Sequence, residues 1–191
     1  MRENNLIRLI ASTGRMTERY HRFIFVAPKY FDPNFSFQID IVENVNNYTT
    51  NQYTLHTGTN GVCTMDPNVA PGFRSLNGSM AKSFLATPLT TQCLSSGSNN
   101  DGCAFTDVEG SAGTPFNTAS GGVFAMLWDN SSIAIWRFER NQIPQDIQNS
   151  DPNPDNWGIP AAYWSNKSCN IAASFNNLSR MFPVLPFSRL S

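Results

Sequence analysis

Three residues in one short run, Gln38, Asp40 and Glu43 of "FSFQIDIVENVNN", are of types and at spacings that bear on acid–base chemistry. Two carboxyl groups on one surface can divide the work of a hydrolysis: one attacks or steadies positive charge, the other delivers a proton and later takes one back. The spacing sets a geometric condition. On a regular strand the side chains alternate, so Gln38 and Asp40 share a face while Glu43, three positions past Asp40, points away. One extra residue between Asp40 and Glu43, a β-bulge, would return all three to a common face, and bulges are enriched beside active sites. Three polar groups on one face of an otherwise apolar strand are costly unless that face lines a wet cleft. The same pattern also fits an edge strand with solvated acids and no chemistry. At Gln38 an uncharged amide stands where a third carboxylate would complete the set.

The elements that must position these residues read as strands. "FQIDIVENV" and "NQYTLHTG" are β-branched and aromatic runs joined by "NNYTT", a hairpin-like arrangement. "GGVFAMLWDNSSIAIWRFER" places two further strands around the turn "DNSS". "SDPNPDNWGIP" carries three prolines and a glycine and reads as loop. No helical stripe of useful length lies between residues 37 and 176, and no internal repeat is visible. The expected fold is an all-β antiparallel sandwich or jelly roll.

Composition agrees with that class. The 191 residues suit one domain. Only 14% of them are charged, against about 25% in an average chain, and 12% are aromatic. A net charge of −1 offers no field for nucleic acid or an anionic membrane, so neither partner is expected and a neutral polar ligand fits better. No segment is long enough to span a membrane, and "MRENNLIRLIAS" breaks its apolar run with Arg8, so it does not read as a signal peptide. Charge is uneven: residues 1–38 hold six Lys and Arg against three acids, and the rest hold seven against eleven. The opening segment is a compositionally different text.

Cys63, Cys93, Cys103 and Cys169 include no C-x-x-C pair, and the chain has two histidines, so no metal site and no cofactor is expected. Four cysteines allow three disulfide connectivities. Cys93 and Cys103 flank the Gly/Asn/Ser loop "CLSSGSNNDGC" and form a plausible bridge. Sequons at Asn34, Asn47, Asn77, Asn130, Asn166 and Asn177 point toward secretion, though a chain this rich in Asn, Ser and Thr produces some by chance.

The run "IDIVENVNNYTTNQYTLHTG" resembles the catalytic strand and following strand of glycoside hydrolase family 16, in its fungal endo-1,3(4)-β-glucanase (laminarinase-like) branch, whose motif is E-x-D-x-x-E. "CTM", the Cys93–Cys103 loop, "GSAGTPFN", "GGVFAM", "IAIWRFER", "IPQDI", "DNWGIPAAYW" and "SCNI" follow in the family's order, covering about residues 37–176. The resemblance implies a concanavalin-like β-jelly roll, partial here, whose concave face forms a cleft for β-glucan. It implies retaining hydrolysis, which needs a nucleophile and an acid/base. Matched to the motif, Glu43 is the acid/base, Asp40 the auxiliary aspartate, and Gln38 stands at the nucleophile position. A glutamine amide cannot form the glycosyl ester or balance the charge developing on the sugar ring. His56 matches a histidine beside the family's catalytic centre. Of Trp128, Trp136, Trp157 and Trp164, one is expected to offer a stacking surface for sugar, Trp157 first because it lies in a loop; the others read as core. Leu127 and the stretch Arg137 to Arg140 depart from the family pattern. The resemblance further implies an extracellular protein, although no signal peptide is read in this chain.

The ends match nothing in the resemblance. Residues 1–36 are expected to be disordered or to come from a misdrawn reading frame, and 177–191 to be an unmatched tail. "FSFQ" is what translation of a pyrimidine-rich intron acceptor ending in CAG would produce, so on that hypothesis Gln38 itself is a boundary artefact. Three functional readings stand on these residues: an endo-1,3(4)-β-glucanase-type hydrolase, truncated and impaired as written; an inactive β-glucan-binding pseudoenzyme or lectin-like module; and a structural β-sandwich without carbohydrate business, which requires the resemblance to be accidental.

Overall fold

The computed structural model describes residues 37–44, 47–58, 63–69, 71–73, 84–96, 98–149 and 151–175, together with the backbone of strands at residues 7–13, 21–26 and 180–184. The strands in chain order are β1 (Ile7–Thr13), β2 (His21–Val26), β3 (Gln38–Asn44), β4 (Gln52–His56), β5 (Thr87–Thr90), β6 (Cys103–Thr106), β7 (Gly122–Trp128), β8 (Ser132–Glu139), β9 (Ala162–Ser165) and β10 (Arg180–Val184). They form a four-stranded sheet, β1-β7-β8-β9, and a six-stranded sheet, β10-β2-β3-β4-β6-β5, with every neighbouring pair antiparallel. Two such sheets face to face make a jelly-roll sandwich. β1, β2 and β10 come from beyond the 37–176 span of motifs, yet they pair into these sheets: β1 with β7, β2 with β3, and β10 with β2. Asn34, Asn77, Asn177 and the residues Phe35 and Ser36 of "FSFQ" lie outside the described residues.

Alternation along the strands builds the core. Ile39 and Ile41 of β3, Tyr53 and Leu55 of β4, Phe124 and Met126 of β7, and Ile133 and Ile135 of β8 turn inward and are buried together. Each fully buried side chain of this size contributes roughly 1.5–3 kcal/mol of apolar transfer free energy. Phe105 meets both Phe84 and Trp164 edge-on, at ring-centre distances of 4.5 and 5.0 Å. The "DNSS" turn forms as its side chains dictate: Asp129 Oδ1 accepts from the backbone N–H groups of Ser131 (2.7 Å) and Ser132 (2.9 Å), joining β7 to β8. α-Helical structure among the described residues is confined to short segments in loops, α1 (Gly113–Thr118), α2 (Gln145–Gln148) and α3 (Ile171–Phe175), too brief to show a periodic stripe in the sequence.

A second apolar cluster lies on the outer face of the four-stranded sheet. Val123, Ala125, Ala134, Trp136 and Phe138 alternate with the inward residues, and Ile147 and Trp157 close over them from the loops after β8.

Between the sheets sits a polar network that the composition hides. The Tyr53 hydroxyl donates to Asp107 Oδ2 (2.6 Å), and Arg137 Nε donates to the same oxygen (2.8 Å). Arg137, one of the residues that departs from the family pattern, thus has a partner from the opposite sheet's strand end. Burial works against its charge, and the Asp107 carboxylate outweighs that and strengthens it. Burial, then the Asp107 charge, holds the Tyr53 phenol well above its usual value of about 10. The sign follows directly. Above pH 10 the unfolded chain releases the Tyr53 proton while the folded chain keeps it, so this stability is present below pH 10 and is lost as pH rises beyond it. Chemical denaturation between pH 9 and 12 is expected to show that loss. Tyr53→Phe should reduce the slope by up to one proton, about 1.4 kcal/mol per pH unit; an unchanged slope would contradict it.

Candidate active site

The outer face of the six-stranded sheet carries the polar row. β3 and β4 pair as Gln38 with His56, Asp40 with Thr54, and Glu43 with Gln52, and the register shifts between Asp40 and Glu43. Three steps on β3 answer two on β4, so one extra residue is accommodated there. The β2 side agrees: Ile24 pairs with Asp40 and Phe23 with Val42, skipping Ile41. The bulge keeps Ile41 and Val42 buried in the core and sets Gln38, Asp40 and Glu43 on the face shared with Gln52, Thr54 and His56. This excludes the edge-strand reading, since β3 is paired on both sides.

Each acid has a distinct environment. Asp40 is fully buried, and its Oδ2 lies 3.3 Å from His56 Nε2, within ion-pair range though not aligned as a hydrogen bond. The other ring nitrogen, Nδ1, is 2.8 Å from Ser95 Oγ. Glu43 is half-buried; its Oε2 accepts from the Thr54 hydroxyl (2.8 Å) and more weakly from Gln52 Nε2 (3.3 Å). Gln52 Nε2 also donates to Thr54 Oγ1 (3.0 Å). The result is one partly accessible carboxyl held by two neutral donors, and one buried carboxyl backed by an imidazole and a serine. Asp40, Glu43 and His56 are also the group of three His or acid ligand atoms within 4.8 Å of one another found among the described residues, and so the set that could hold a cation.

The disulfide Cys93–Cys103 forms, and it serves this site. It ties the segment after β5 to β6, where Thr57 N–H donates to Cys93 C=O (2.8 Å) and Ser95 N–H to Thr57 C=O (2.9 Å). Those bonds lay Ser95 alongside the end of β4, in reach of His56. Gly102 makes the approach possible: at φ +64° a Cβ there would lie 2.6 Å from Leu55 O and from Thr54 Cγ2, and 2.8 Å from His56 Nδ1. Gly102→Ala is expected to cost about 2 kcal/mol or more and to separate His56 from Ser95. Thermal unfolding with the His56 ring NMR shifts would check it; unchanged shifts would contradict it.

Six of the sequence-expected residues therefore converge: Gln38, Asp40, Glu43 and His56 directly, and Cys93 and Cys103 through Ser95. Trp157 is not brought to this face. It is 5% exposed in the outer cluster of the four-stranded sheet, edge-on to Trp136 and Phe138, and its indole N–H donates to Asp146 Oδ2 (2.8 Å). Burial pushes the Asp146 carboxyl up, but that bond and the backbone N–H groups of Asn153 and Ile147 outweigh it and hold it below its usual value. Trp128, Trp136 and Trp164 are buried as well, so none of the four tryptophans offers an open ring face. Loop position suggested access for Trp157, whereas the loop folds its tryptophan back as a lid on apolar surface. Neither Thr54 nor Gln52, which the period of β4 places on the face of His56, was singled out from the sequence, nor was Ser95, which lies 39 positions from His56 and has no local signal.

A bulged strand thus sets the three motif positions in a polar row on one sheet of a jelly roll. The chain belongs to glycoside hydrolase family 16. The family model described as "XgeA-like, catalytic GH16 domain" matches residues 33–184, reaching past the 37–176 span of motifs at both ends. An endo-1,3(4)-β-glucanase of Arthroderma benhamiae is 34% identical over 147 residues, which is 76% of this chain and 30% of that relative. The chain thus spans under a third of the relative's length. Among solved structures, an elongating family 16 β-1,3-glucosyltransferase superposes with a TM-score of 0.69 at 27% identity, over 88% of this chain and 51% of that one. Laminarinase 16A of Phanerochaete chrysosporium, solved with two β-glucans in donor and acceptor sites, gives 0.71 at 26% identity, over 90% and 55%.

Proposed function

We propose that this chain is a β-glucan-binding domain of the endo-1,3(4)-β-glucanase type whose hydrolysis is impaired by Gln38. One observation carries the reading: Gln38 lies in register with His56 on the same face as Asp40 and Glu43, so the three motif positions are assembled with an amide in place of the nucleophile. Glu43, with its two neutral donors, is the acid/base, and Asp40 with His56 supplies fixed charge beneath the sugar. The glucans bound by Laminarinase 16A and the name of the Arthroderma relative support β-glucan as the ligand. Two disulfides and the exposed sequon asparagines Asn47, Asn130 and Asn166 support an extracellular setting.

Sedimentation with insoluble β-1,3-glucan is the test. The unaltered chain is expected in the pellet, with no reducing ends in the supernatant and no retention on chitin. A folded chain that stays in solution at every glucan concentration would sink the reading.

A second reading keeps the glucanase activity, with the codon for Gln38 drawn in a different frame; the name of the Arthroderma endo-1,3(4)-β-glucanase relative favours it. Transcript sequence across the codons for Tyr30 to Asp40 separates the two, because a spliced message that still encodes "FSFQID" retains the glutamine.

A further inference from the structure

We infer that Asn51 is a positioning residue for Glu43, its buried carboxamide closing the bulge that brings Glu43 onto the face of Asp40. The inference rests on the role proposed above for Glu43. A bulge breaks the ladder and leaves backbone groups without their strand partners. Here the register gives Ile41 no partner on β4. The Asn51 side chain takes up the break from both sides: its Nδ2 donates to Ile41 C=O (3.0 Å), and its Oδ1 accepts from the Glu43 backbone N–H (3.1 Å). A primary amide is the one side-chain group that offers a donor and an acceptor side by side, matched to one C=O and one N–H.

Asn51 is itself fixed. It is fully buried, its backbone N–H donates to Ser111 Oγ (2.7 Å), and its C=O accepts from Asp107 N–H (2.8 Å). Ser111 is fully buried too, and Gly110 and Ala112 N–H groups both donate to Thr49 C=O, at 3.0 and 3.1 Å. The loop after β6 therefore grips the β3–β4 connection, and Asn51 transmits that grip to the backbone of Glu43. The carboxyl of Glu43 reaches Thr54 and Gln52 only if its backbone sits where the bulge puts it. An aspartate at position 51 keeps the shape and the acceptor but sets a carboxylate oxygen against Ile41 C=O, and an alanine removes both bonds.

Two measurements test this. In the unaltered chain, the Glu43 amide proton is expected to exchange at least about 100-fold more slowly than a solvent-exposed amide, and Asn51→Ala is expected to remove that protection while Ile39 and Leu55 amides keep theirs. Protection at Glu43 that survives the substitution overturns the inference. Should Asn51→Ala not fold, Asn51→Asp serves instead, with the loss read at the Ile41 carbonyl carbon shift; no change there also overturns it.

The second measurement uses the Gln38→Glu background. A misplaced acid/base costs most when the leaving group needs its proton, so Asn51→Asp should lower kcat on laminarin about 100-fold with KM little changed. On a dinitrophenyl β-glucoside oligomer, whose leaving group departs without protonation, the loss of the glycosylation rate should fall below about 5-fold. Equal losses on both substrates mean a general structural defect and overturn the inference. If Gln38→Glu itself hydrolyses nothing, the proposed function fails, and amide exchange alone decides the role of Asn51.

Discussion

Gln38→Glu is expected to raise reducing-end release from laminarin by on the order of 10⁴-fold or more over the unaltered chain. Removing a nucleophile from an assembled catalytic set costs losses of this order in enzymes where it has been measured, and here the substitution runs in reverse. The restored carboxylate would attack the anomeric carbon as Glu43 protonates the departing oxygen, forming a glycosyl ester and releasing the shortened glucan. Water, deprotonated by Glu43, would then attack the same carbon and free the carboxylate, returning the proton to Glu43. Everything except the nucleophile is already in register: Asp40 opposite Thr54, Glu43 opposite Gln52, and position 38 opposite His56. A third carboxylate in the row adds repulsion with Asp40, which should cost about 1 kcal/mol of stability and is eased by the His56 ring. Product analysis by NMR should show retention of the β-anomer, and Gln38→Glu combined with Glu43→Gln should return to the floor. A Gln38→Glu chain that holds β-glucan yet releases nothing would show that position 38 does not face the anomeric carbon.

The largest stability effect is expected from the other disulfide. Cys63–Cys169 closes a loop of 106 residues, and all four cysteine side chains lie in the main core. Loop-closure entropy assigns such a crosslink about 4.7 kcal/mol, against about 2.7 kcal/mol for a loop of ten residues such as Cys93–Cys103. For a chain of this length Cys63→Ser with Cys169→Ser should lower Tm by roughly 10–15 °C, and the Cys93, Cys103 pair by about half as much. Their functional signatures should differ. The long crosslink joins the segment before β5 to the segment after β9 and reaches the site only through Cys93, whose N–H donates to Cys63 C=O (3.1 Å), so its loss should weaken glucan retention less than loss of the short one below the new Tm. The short one holds Ser95 on His56, so its loss should weaken retention at temperatures where the fold persists. Scanning calorimetry and glucan sedimentation on both double variants check this; equal Tm losses would contradict the loop-length account.

The polar face of β3 was legible because it depends on local periodicity. Alternation along "FQIDIVENV" put Gln38 and Asp40 together, and the three-residue step to Glu43 demanded the bulge that the ladder shows. Family motifs then assigned roles to the same positions. Trp157 shows where locality fails: a tryptophan in a proline-rich loop looks available, and only the packing of Trp136 and Phe138 reveals that the loop caps apolar sheet. Arg137 shows the reverse, a charge with no account in the sequence that finds Asp107, 30 positions away, between the sheets.

Strand identity, the polar row and its need for a bulge follow from side-chain alternation within a few residues, and the reading of Gln38 as a substituted nucleophile position follows from the family resemblance, so both were within reach of the sequence alone. Tertiary structure decided the rest: Ser95 behind His56, Ser111 behind Asn51, Cys63 with Cys169, and Tyr53 with Asp107 and Arg137. These pairs span 30 to 106 positions. No local pattern encodes them, because they form only where two sheets and their loops pack, and the burial of each polar group then requires the partner it meets there.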